Sequence, residues 1–296
     1  MQPFGIDVAD FEFKIVSQRG VVFFRVQDSM TNDHQKDLID RLGRLTGKPT
    51  GNSLHLHPVL NATSRSEFGV GDPQMSHISS AGERAIFEHQ RRLGQPKRYD
   101  AAKWHSDIQF EPHPADYTSL RLTQVPSTGG DTLWASGSAL YERFSKPFQT
   151  MFESLTATFE GEGFTSAAKA YPDRIKVFEG PRGSPANVGT SLTAVHPVVR
   201  TNPVTGWKSI YSLGPFAQRI NELSKQESDE LLQKFYSSIR ENHDSQVRFR
   251  WRNANDMGRQ TPRESLRQAR LTVHRISNLG QPQRLPHRHS RLRRLR

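Results

Sequence analysis

The 296-residue sequence predicts a mainly β protein with peripheral helices, an α+β architecture with an antiparallel jelly-roll core. Two observations predict it. Short strand-like runs recur through the first 256 residues, separated by Gly-, Pro- and Asn-containing turns. Amphipathic helices fall between them without the regular strand–helix alternation that marks a parallel sheet. No internal repeat is visible.

In chain order, RGVVFFRV (19–26) is apolar and β-branched, bounded by Gly20 and Asp28-Ser29, and reads as a buried strand. Residues 29–47 offer Thr31 or Asn32 as a helix N-cap. They then place Leu38, Ile39, Leu42 and Leu45 at helical spacing and stop at Gly43 or Gly47. Residues 61–103 are polar and irregular around a helix near 81–94. From 117 the text is strand-like: YTSLRLTQV, a PSTGGD turn, then TLWAS. Residues 138–155 read as two helices parted at Pro147, and 160–195 as loop-rich. HPVVRTNPVTGWKSIYS (196–212) reads as a hairpin around its PVTG turn. Residues 224–242 form an amphipathic helix in which Ser224 and Glu227 have capping-box spacing. QVRFRWR (246–252) alternates like a strand.

Composition excludes several classes. No run is apolar enough to span a membrane, and the N-terminus lacks the basic start and apolar run of a signal peptide. A cytoplasmic location is therefore the default expectation. With no cysteine there is no disulfide, thiol nucleophile or thiolate metal site. The net charge of +11 belongs almost entirely to residues 259–296, which hold eleven arginines against one glutamate. That stretch has no aromatic residue to stack on bases, so it reads as a solvated, disordered extension and not a nucleic-acid site. The expected domains are 1–256 and an arginine-rich tail, 257–296. Whether the protein forms a homo-oligomer stays open.

His105 and Asp107 stand within WHSDIQFEPHPADYTSLRLTQVPSTGGDTLWAS (104–136). This run, with LHLHPV (54–59), HPVVRTNPVTGWKSIY (196–211) and QVRFRWRNAND (246–256), resembles the TauD/TfdA family of iron(II)- and 2-oxoglutarate-dependent dioxygenases. The likeness extends over nearly all of residues 1–256. It implies a double-stranded β-helix core, Fe(II) as cofactor and 2-oxoglutarate as co-substrate. It also implies O₂ and a small anionic molecule as reaction partners, an alkyl sulfonate such as taurine being the first guess. Phenoxyacids, sulfate esters and other carboxylates are also family substrates.

The residue types suit that chemistry. Non-haem iron oxygenases use two histidines and a carboxylate on one face of the metal. On an extended strand, His105 and Asp107 point to the same side, and they match the family's first two ligands. Thr132 matches the threonine whose hydroxyl helps hold the 2-oxoglutarate carboxylate, and Gly129-Gly130 permits the tight turn before it. His57 matches a histidine that contacts the substrate anion in sulfonate-oxidising members; a structural histidine with a satisfied hydrogen bond fits it equally. Trp104 is expected to pack beside the site, and His196 and Arg200 to order the hairpin.

The text departs from the family after Asp256. The W-D-x-R segment, the distal histidine and the arginine for 2-oxoglutarate are not recognisable, and the last strands of the barrel are missing. The first later histidine, His274, comes eighteen residues on. His274, His287 or His289 as third ligand, and Arg270 or Arg275 as the 2-oxoglutarate arginine, stay open. A shifted reading frame or splice junction is the economical explanation for the change in composition. The alternative to an active dioxygenase is a non-catalytic relative lacking the distal metal histidine.

Overall fold

The computed structural model describes residues 8–25, 27–59, 72–76, 104–122, 130–173 and 175–251. Helix and strand are mixed. Two helices come first, α1 (Val8–Arg19) and α2 (Asn32–Leu45), then β1 (Thr132–Ala135). Two short helices, α3 (Gly137–Glu142) and α4 (Lys146–Glu153), lead into β2 (Thr156–Glu160). After α5 (Glu162–Ala170) come β3 (Thr193–Pro197), β4 (Val199–Thr201), β5 (Lys208–Ile210) and β6 (Ala217–Ile220). The long α6 (Lys225–Glu241) and β7 (Gln246–Phe249) follow.

Among the described residues the strands pair into three antiparallel sheets: β1–β7, β3–β2–β6 and β4–β5. The main core lies where α4 and α6 pack beneath them. Phe152, Phe235 and Ile239 are buried there with Phe159, Ile210, Tyr211 and Ile220. Phe144, Phe152 and Phe235 meet edge to face, the first two with centroids 5.0 Å apart, the arrangement that the ring quadrupoles favour.

Local signals did what their chemistry requires. Thr31 caps α2, its hydroxyl accepting from the His34 N–H at 3.1 Å. The capping box of α6 forms with both of its bonds. Pro147 sits in the first turn of α4, where its missing N–H costs nothing. The β4–β5 turn is closed by Asn202, whose Oδ1 accepts from the N–H groups of Val204 and Thr205.

Five expectations are corrected. Residues 19–26 are not a buried strand: Arg19 ends α1, and residues 20–24 are only half-buried with a single bridge at Phe24. Phe23 instead stacks on Phe249 at 4.0 Å, covering β7 from outside its ladder. Residues 117–122 form no strand and pair in no ladder among the described residues. The stretch 160–195 contains a helix, α5. The hairpin is shorter than 196–212, because His196 and Pro197 belong to β3 in a different sheet. Leu45, expected in the α2 core stripe, is exposed. The helix near 81–94, Gly129 and the tail with His274, His287, His289, Arg270 and Arg275 lie outside the described residues.

Candidate active site

His105 and Asp107 do not lie on a strand. The segment carrying them is irregular and enters a turn at Asp107, where Ile108 takes a φ of +50°. That left-handed conformation crowds a β-branched side chain and costs about 1–3 kcal/mol. The turn replaces strand alternation as the device that aims the two side chains together: His105 Nε2 and Asp107 Oδ1 are 3.3 Å apart. Two neighbouring positions of an octahedron with bonds of ~2.1 Å are roughly 3.0 Å apart, so the pair suits one hard-to-borderline cation. Both side chains keep a path to solvent, 21% and 36% exposed. Trp104 beside them is buried, as expected.

The strained turn is held by groups far away in the sequence. His196 on β3 directs Nε2 at the carbonyls of both Gln109 and Glu111, each at 3.0 Å, so that nitrogen carries the proton. His196 therefore orders this turn, not the hairpin assigned to it from sequence. Gln109 donates to the Tyr211 carbonyl at 2.6 Å. Glu111, with a fully buried side chain, accepts from Arg182 Nε and Nη2 at 2.6 and 2.9 Å and faces His55 Nε2 at 3.2 Å. Arg182 is equally buried and donates onward to the carbonyls of Phe178 and Gly189. Burial pushes the Glu111 carboxyl up, but hydrogen bonds from His55 and Arg182, with the Arg182 charge, outweigh it and hold the group below its ordinary value. From behind, Gly214 (φ +86°) lets the backbone press on His105; a Cβ there would stand 2.9 Å from the His105 Cα, and closer still to the Trp104 carbonyl.

His57 comes to the same place. Its ring meets Phe164 of α5 edge to face at 4.8 Å, Phe164 stacks on Phe216 at 6.3 Å, and Phe216 meets the His105 ring at 5.9 Å. The Val59 N–H donates to His57 Nδ1 at 3.2 Å, which leaves the proton on Nε2. Burial, and then the neighbouring His55, pull the His57 imidazole down to about 3 against the opposing charges of Asp107 and Glu111. The residue is a neutral donor at neutral pH.

Thr132 stands at the head of β1 opposite Phe249 and is buried; its Oγ1 accepts from the Trp251 indole N–H at 3.0 Å. Gly130 before it takes the positive φ (77°) expected of the turn. Sequence reasoning missed Phe164, Phe216, Glu111, Arg182 and His55. The acid in FEPHP and the first histidine of HLH were visible signals, whereas nothing local marked Arg182 or the two rings. Among the described residues no group of three or more His, Cys, Asp or Glu side chains could hold a metal.

Three comparisons bear on this arrangement. The family model described as "Taurine catabolism dioxygenase TauD, TfdA family" matches residues 13–257. The alpha-ketoglutarate-dependent dioxygenase btcD of Neocamarosporium betae is 46% identical over 260 residues, 82% of this chain and 70% of that protein. A second enzyme so named, oryG of Aspergillus oryzae, is 43% identical over 243 residues, covering 82% of this chain and 68% of its own. Among solved structures, a taurine dioxygenase from Burkholderia xenovorans superposes with a TM-score of 0.55 at 23% identity, covering 86% of this chain and 71% of that one. That last likeness is one of fold. With a family match across most of its length and close relatives of one enzyme class, the chain belongs to the TauD/TfdA family of alpha-ketoglutarate-dependent dioxygenases.

Proposed function

We propose that the protein hydroxylates a C–H bond of a small anionic substrate, using Fe(II), O₂ and 2-oxoglutarate, and that an alkyl sulfonate such as taurine is the substrate class to try first. The observation that carries this reading is the convergence of His105 Nε2 and Asp107 Oδ1 at 3.3 Å, beside a neutral His57. Bound iron would supply the oxygen chemistry that couples decarboxylation of 2-oxoglutarate, to succinate and CO₂, to the hydroxylation.

His105 and Asp107 supply two of the three protein ligands. Thr132 donates its hydroxyl proton to a 2-oxoglutarate carboxylate. His57 offers Nε2–H to the anionic group of the substrate, and needs no protonation to do so. Phe164 and Phe216 form an apolar wall between His57 and His105, which keeps water from the reacting carbon and strengthens each hydrogen bond at the site. The framework is a jelly roll, supported by the antiparallel pairing of every sheet and by the likeness of fold. A cytoplasmic protein with its catalytic domain in 1–256 and a solvated tail completes the reading. Among the described residues no helix is long and apolar enough to cross a membrane.

The test is succinate formation from 2-oxoglutarate, with Fe(II), across a panel of sulfonates, sulfate esters and carboxylates. Turnover stimulated by one member and abolished by chelation supports the reading. Without iron-dependent succinate from any member, the chain would be the non-catalytic relative instead.

A further inference from the structure

We propose that Trp251 is a positioning residue for 2-oxoglutarate: its indole N–H occupies an acceptor site of Thr132 Oγ1 and so commits the Thr132 hydroxyl proton to the co-substrate carboxylate. This rests on the reading of Thr132 given above. A threonine hydroxyl has one proton and two acceptor positions, and alone it can turn either toward a ligand. Indole is a donor only, so the bond of 3.0 Å between Trp251 Nε1 and Thr132 Oγ1 has one polarity. Thr132 accepts there and must donate elsewhere. Among the described residues no hydrogen bond has Thr132 Oγ1 as its donor, although the residue is only 5% exposed. A buried hydroxyl proton of that kind lacks a partner until an acceptor arrives, and a carboxylate is the strongest acceptor available.

The indole cannot swing away to release this polarity. Trp251 is itself 5% exposed. Phe249 meets its ring edge to face at 4.5 Å and Trp134 at 6.3 Å. Phe23 closes the far side of Phe249 at 4.0 Å. Because β1 and β7 pair with Thr132 opposite Phe249, the ladder sets the distance between the hydroxyl and the indole. A tryptophan kept only for bulk would have no need to aim its nitrogen at this oxygen.

The experiment is calorimetric titration of 2-oxoglutarate into the full chain with Fe(II) under argon, for the parent, Trp251→Phe, Thr132→Val and the double variant. Losing one neutral hydrogen bond should weaken 2-oxoglutarate about three- to tenfold in Trp251→Phe, and losing the donor to the carboxylate about ten- to hundredfold in Thr132→Val. The double variant should bind no more weakly than Thr132→Val, because the indole acts only through the hydroxyl. Fe(II) affinity measured without 2-oxoglutarate should be the same in all four. Parent-like binding by Trp251→Phe alongside weakened Thr132→Val would overturn the role of Trp251 alone, and so would additive losses in the double variant. Parent-like binding by Thr132→Val, or no binding by the parent, would overturn the reading of Thr132 itself. Should Trp251→Phe fail to fold, site-specific benzothienylalanine at 251 keeps the ring shape and replaces N–H by sulfur; the same weakening is expected, and unchanged affinity refutes the proposal.

Discussion

Replacing Glu111 by Gln tests whether the buried ion pair underneath the site holds the protein together. The carboxylate binds Arg182 through two short bonds, with neither side chain exposed at all, and also faces His55. Glutamine keeps the shape but removes the charge and turns an NH₂ group toward a donor. Removing one partner of a buried pair typically costs about 3–5 kcal/mol, since the other charge stays behind unpaired. Here Arg182 retains the Phe178 and Gly189 carbonyls at 2.8 and 2.9 Å, so the lower end, about 3 kcal/mol, is expected. For a chain of this size that is roughly a 6–12 °C fall in Tm. The assay is urea unfolding followed by far-UV circular dichroism, with Glu111→Gln/Arg182→Met as the companion. Removing both charges should restore part of the loss. The folded Glu111 carboxyl lies below its ordinary value of 4.5. Its stabilisation is thus complete above that pH and lost as pH falls through the folded value. The variant should lack this acid-side slope. Stability within about 1 kcal/mol of the parent, the size of an ordinary substitution, would refute the argument.

Three further outcomes are expected. Asp107→Ala should abolish 2-oxoglutarate turnover with Tm changed by no more than a few degrees, because the side chain is 36% exposed and outside the core; parent-rate turnover would remove Asp107 from the ligand set. Gly214→Ala should destabilise by about 1–3 kcal/mol through its positive φ and weaken Fe(II) binding by displacing His105; unchanged iron affinity would show that the loop yields without moving the ligand. With His57 held down to about 3, its folded value lies below the unfolded one. The stability it contributes is therefore full above about 6.5 and lost progressively as pH falls toward 3. The KM for the anionic substrate should show no break between pH 6 and 8 from this residue; a break near 6.5 that His57→Asn removes would show an ordinary, protonatable histidine.

The features legible in sequence were those whose causes are local. Thr31 and Ser224 are read as caps because the atoms they bind are three residues away. The Asn202 turn and the β1 and β7 segments are read for the same reason. The apolar run at 20–24 was misread because strand pairing needs a neighbour that composition does not supply. The helix α5 was missed because its N-cap is Gly161, with no side chain to announce it.

The site divides in the same way. Residue types and spacing marked His105, Asp107, Thr132 and His57 as a set, but strand alternation was the wrong reason for the first two to converge. Their geometry comes from a left-handed Ile108, a conformation no local preference would select, stabilised by a histidine 85 residues after Glu111 and an arginine 71 residues after it. A loop with no ladder of its own has to borrow rigidity in this way if it is to hold two side chains in one fixed arrangement. The clamps carry the cost of the turn from elsewhere in the fold, and their loss would loosen His105 and Asp107 without touching them. That is why Glu111, His196 and Gly214, which need contact neither metal nor substrate, belong to the same physical unit as His105 and Asp107.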